Sequence, residues 1–67
     1  MTSMLEYVKM ILRKVCFDRS LFEKELRKAL GRLVGEEIEA LRIWCFDTFS
    51  SRYRPILTRC FRTVQGN

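Results

Sequence analysis

Cys16, Cys45 and Cys60 are the residues best suited to nucleophilic or metal chemistry, and the chain has no histidine to assist them. The cysteines lie 29 and 15 residues apart, with no C-x-x-C pair. A structural zinc site takes four cysteine or histidine ligands at close paired spacing, so no metal is expected. An odd number of cysteines does not make a disulfide frame, and reduced thiols fit a cytoplasmic chain. Without histidine, triads and imidazole acid–base catalysis are excluded. Glu36 and Glu39 stand one turn apart as a conceivable carboxylate pair beside Glu37. At the start of a helix, however, such residues serve the dipole and solvation. No glycine-rich phosphate loop occurs, and neither an enzyme nor a cofactor is expected.

Cationic chemistry is better represented. The stretch "FSSRYRPILTRCFRTV", residues 49–64, holds four arginines, three aromatic rings and no acid. Single-strand nucleic-acid binding combines cations with several exposed rings. On a helix over 55–64, Ile56, Leu57, Cys60, Phe61 and Val64 fill one arc, with Thr58, Arg59 and Arg62 opposite. Phe61 and Phe49 are therefore expected in the core, Tyr53 alone is expected to be free, in a loop, and the arginines are expected to form a solvated helix face rather than a nucleic-acid hook. A second nucleic-acid outline is "LGRLVGEEIEALRIW", with a helix, a short turn containing glycine and another helix. Its second helix would offer Glu36, Glu37 and Glu39 to the phosphates, which opposes the reading. The possible polyanion contacts are Lys24, Arg27, Lys28 and Arg32 with Arg52, Tyr53, Arg54, Arg59 and Arg62.

Net charge is +5, unevenly spread. Residues 1–35 carry eight lysines and arginines against four acids, residues 36–47 four acids against Arg42, and residues 48–67 four arginines with no acid. This layout suits packing of the chain on its own copies as well as an external polyanion. At 48% hydrophobic and 31% charged, the composition is globular. No stretch reaches the roughly 18 apolar residues of a membrane span. The N-terminus lacks the order of a signal peptide, because Glu6, Lys9, Arg13 and Lys14 interrupt its apolar residues.

The elements that must position these groups are helices. Ser3 and Glu6 have capping-box spacing, and Met4, Leu5, Val8, Ile11, Leu12 and Val15 then recur at helical intervals over 4–16. Glu6, Lys9 and Arg13 are expected on the opposite, solvent side. A basic helix with this pattern also resembles one lying on a membrane, but other amphipathic segments are available to cover its apolar face. Asp18 caps a second helix, 18–34, with Phe17 expected to staple onto Phe22. Its apolar face is Phe22, Leu26, Ala29, Leu30 and Leu33. Gly31 is a tolerated weak point, the end of this helix, or a place where a partner backbone approaches closely. Gly35 breaks the pattern before a third helix, 36–49. There Ile38, Leu41, Trp44, Cys45 and Phe49 form one arc, while Ile43 and Phe46 form another with Arg42 between them. Ser50 and Ser51 mark a loop. Pro55 fits the first turn of a shorter fourth helix and should push Arg54 out of helical geometry. Gln65 to Asn67 should fray.

The expectation is one all-α domain, 1–67: a small antiparallel bundle of three main helices and a shorter fourth. A helix apolar on two sides is surrounded by protein, and 67 residues supply little of it. A homodimer through Ile43, Phe46 and Arg42 is therefore expected. Its basic surface would face an unidentified protein partner, with nucleic acid as the alternative.

Overall fold

The computed structural model describes the backbone of residues 3–65 and the side chains of residues 3–63. The described residues form four α-helices and no strand: α1 Met4–Val15, α2 Arg19–Leu30, α3 Gly35–Thr48 and α4 Arg54–Gln65. The chain is all-α, as expected. α1 packs against α2 and α3, and α4 packs against α2 and α3, so the four close around one core.

The helix starts follow their local chemistry. Ser3 Oγ accepts from the Glu6 amide at 3.1 Å, and Asp18 Oδ1 from the Leu21 amide at 3.1 Å, each satisfying an amide that the first turn leaves open. α3 is capped from inside, because Glu37 Oε1 accepts from the Val34 amide at 3.0 Å.

The end of α2 differs from the periodic expectation. The helix stops at Leu30, four residues early, with Gly31 as its cap. The amides of Arg32 and Leu33 both return to the Ala29 carbonyl, at 2.9 and 3.1 Å. Leu33 is nevertheless buried. The turn keeps it on the apolar side, so the apolar pattern runs on past the end of the helix. Neither described glycine has positive φ, and a Cβ at Gly31 would meet only backbone oxygens of α2, the nearer at 3.5 Å. Within the chain, among the described residues, no other element approaches Gly31, which serves as the end of α2.

Two further local expectations fail. Phe17 is 80% exposed and staples nothing. The ring of Phe22 is occupied instead by Phe49 and Tyr53, with centroids at 4.9 and 4.8 Å. Arg54 is helical, with φ −55° and ψ −43°, despite the proline that follows. A 3-10 turn over Ser51–Tyr53 runs straight into α4, and Pro55 falls in the first turn, where its missing amide loses no bond. α4 consequently has 12 residues, as many as α1 and α2, and is not the shorter helix. Gln65 still belongs to α4, while Gly66 and Asn67 lie outside the described residues.

The core joins Val8 and Leu12 of α1, Phe22, Leu26 and Ala29 of α2, Leu41 and Cys45 of α3, and Ile56, Leu57, Cys60 and Phe61 of α4. Val64, expected on the same arc, lies outside the described side chains. Among the described residues no charged side chain is buried, and no buried side-chain polar atom lacks a partner. No described helix is long and apolar enough to cross a membrane.

Candidate interaction surfaces

The cysteines sit in the core and at its edge. Cys45 and Cys60 are buried, and Cys16 is half-buried with its thiol 3.3 Å from the Arg13 carbonyl oxygen. Burial pushes the Cys45 thiol up to about 12, and burial also raises Cys60. A thiol so raised is a poor nucleophile and ligand, because the thiolate is the reactive form. Among the described residues, no three Cys, Asp or Glu side chains converge as a metal-binding group. Alkylation of the native protein near pH 8 should therefore modify Cys16 and spare Cys45 and Cys60 until the chain unfolds. Mass spectrometry after a timed iodoacetamide pulse checks this; three equally fast thiols would contradict it. The raised thiol also sets a pH limit. Cys45 keeps its proton in the fold to about 12, whereas an ordinary thiol loses it near 9.0. Its contribution is present below pH 9 and is lost as pH rises through that window.

Tyr53 is buried and does not stand free in a loop. Its hydroxyl donates to the Cys16 carbonyl oxygen, tying the end of α1 to the turn before α4. The ring lies in an aromatic cluster with Phe22, Phe49 and Trp44, where Trp44 meets Phe49 edge-on at 5.4 Å. It is unavailable for stacking on bases.

Lys9 and Arg13 do not simply face solvent. Both lie over the Trp44 ring, with Lys9 Nζ at 5.6 Å and the Arg13 guanidinium carbon at 5.7 Å from its centroid. Each such interaction contributes about 0.5–1 kcal/mol at a partly exposed site. The two cations join α1 to α3, and Lys9 also reaches Glu6 at 3.4 Å.

Several of the other cations lie along α2 and α4. Glu23 stands at the seam and takes two arginines. Arg27 donates to its Oε2 through Nε and Nη2, at 3.1 and 2.9 Å. Arg59 donates from α4 to both oxygens, at 3.2 and 2.9 Å. These hydrogen bonds, Arg59's foremost, hold the Glu23 carboxyl below the usual range. Lys28 lies 3.7 Å from Glu25. Lys24, Arg32, Arg52, Arg54 and Arg62 are exposed and have no carboxylate partner among the described residues. Arg54, Thr58, Arg59, Arg62 and Thr63 line one shallow open depression on α4. A neighbouring hollow at the α2–α4 seam shares Thr63 and adds Arg27. Arg27, Arg54, Arg59 and Arg62 thus lie on one contiguous surface with Glu23 as its carboxylate.

α3 shows a different face. Ile43 is 57% exposed, whereas Phe46 is half-buried and packs against the core of its own chain. Arg42, between them, is held by Glu39 through Nε at 3.1 Å and through Nη2. Glu36, Glu39 and Asp47 are exposed, at four- and seven-residue spacings from Ile43, and so share its face. Sequence reasoning named Ile43 but missed the acids that surround it, although their spacing was legible.

Compared with known proteins, the chain matches no family model, no curated protein and no solved structure.

Proposed function

We propose that this chain is a self-associating interaction module, a homodimer in its smallest assembly, that offers its α2–α4 arginine surface to an acidic macromolecule. The segregation of surface chemistry supports this reading. Exposed guanidiniums gather along α2 and α4, while an exposed isoleucine sits among acids on α3. Ile43 would anchor self-association, with Phe46 and Arg42 at its edge. The partner of the arginine surface is an acidic protein. Nucleic acid is the alternative: the same arginines would grip phosphates without reading bases, because Tyr53 is buried and α3 opens with Glu36 and Glu37.

Heparin titration across salt tests the surface. Wild type should bind at low salt, with log K falling linearly in log salt. Glu23→Gln should bind more tightly, with a slope steeper by about one to two units, because it frees Arg27 and Arg59. Absence of binding at ~50 mM salt, where such interactions are strong, would overturn the arginine surface as a docking site. A gel shift with duplex DNA that persists near physiological salt would favour nucleic acid over protein.

A further inference from the structure

We infer that the α1–α2 cleft of one copy of this chain receives Ile43 of another. This rests on the self-association proposed above and names the surface that receives the anchor. The cleft has a volume of about 80 Å³. Met4, Tyr7 and Ile11 wall it on the α1 side, and Glu25, Lys28 and Arg32 stand at its α2 edge, where Glu25 and Lys28 offset each other and Arg32 leaves a net positive charge. Met4 and Tyr7 are 41% and 48% exposed, more than such side chains need be if the bundle were closed on that side. A water-sized group takes roughly 10–15 Å³ by the same measure. The cleft therefore has room for one branched aliphatic side chain.

Charge selects the occupant. Lys28 is engaged with Glu25, but Arg32 has no carboxylate partner among the described residues. An apolar knob carrying unpaired acids beside it would fit such a rim, and α3 provides one. Ile43 is exposed, Ala40 beside it is small, and Glu36 and Asp47 have no cation partner among the described residues. Docking α3 on its own image would set Glu36, Glu39 and Asp47 against like charges. Docking it on the α1–α2 cleft sets them near Arg32 and Lys28 instead.

The knob and the cleft lie on different faces, since α3 packs against α1 and α4 while the cleft opens between α1 and α2. One copy cannot satisfy itself. Pairing unlike faces leaves a free knob at one end and a free cleft at the other, so growth continues into a chain or closes as a ring.

Two surface variants test the pairing by sedimentation velocity, with circular dichroism to verify their folds. Ile43→Glu removes the knob; Arg32→Glu with Tyr7→Glu blocks the cleft, and Arg32→Glu alone serves if the double variant misfolds. Each variant alone should associate ~30-fold more weakly than wild type or worse, the scale of losing an interface anchor. Mixed one to one, they should form a complex of two chains and no larger, because one intact knob meets one intact cleft. A cleft variant that self-associates like wild type would overturn the inference and leave self-association standing. Failure of the mixture to form a complex would overturn the pairing as well. A monomeric wild type would remove both.

Discussion

Phe22→Ala should remove roughly a third or more of the folding stability. The ring is fully buried and packs against Phe49 at 4.9 Å and Tyr53 at 4.8 Å. Removing a buried phenylalanine costs about 3–5 kcal/mol through lost burial and the cavity left behind. A domain of this length has roughly 3–10 kcal/mol of stability to lose, by the usual 0.05–0.15 kcal/mol per residue. Here the loss reaches further than the cavity. Phe22 joins α2 to the segment between α3 and α4, and Tyr53 in that segment holds the Cys16 carbonyl. Without Phe22, Tyr53 loses a wall of its pocket. Thermal melting by circular dichroism should show a midpoint lower by ~15–30 °C, from the 4–8 °C per kcal/mol expected at this size. A drop below ~5 °C would mean that the cluster is not the centre of the fold.

The second large effect concerns binding. Arg52→Gln, Arg54→Gln and Arg62→Gln together should reduce heparin affinity at low salt by ~100-fold or more. The salt slope should flatten by about two to three units, roughly one for each anionic group that an arginine no longer neutralises. The fold should not change, because all three side chains are exposed and form no ion pair among the described residues. Arg59 is deliberately left in place. Its bonds to Glu23 cross from α4 to α2, so its loss would mix a packing effect with a binding effect. A triple variant with unchanged affinity would move the binding site elsewhere.

Helix existence was legible because it rests on near neighbours. α1 follows from the spacing of Leu5, Val8 and Leu12, and α4 from Ile56, Leu57, Cys60 and Phe61; Ser3 and Asp18 cap as their types suggest. What failed depends on residues far apart in the chain. Tyr53 reads as a loop tyrosine until the Cys16 carbonyl, 37 residues earlier, arrives to accept from it. Arg59 is exposed, as expected, but its bond to Glu23, 36 residues away, appears only when α2 and α4 meet. Lys9 and Arg13 sit on the polar side of α1 by periodicity, yet α3 brings Trp44 beneath them. Phe17 shows the opposite error, since a staple allowed by spacing was displaced by more distant rings. Of the candidate surfaces, the basic composition was visible from the start. Which arginines are free could not be known before α2 and α4 came together.

Self-association is the claim on which most of this account depends, and sedimentation velocity of the wild-type chain measures it directly. Between ~1 and ~500 µM in moderate salt, the weight-average mass should climb from that of one chain, 8.1 kDa, to twice that or more, with a thermal midpoint that rises alongside. A mass fixed at 8.1 kDa across the whole range, with melting independent of concentration, would contradict it.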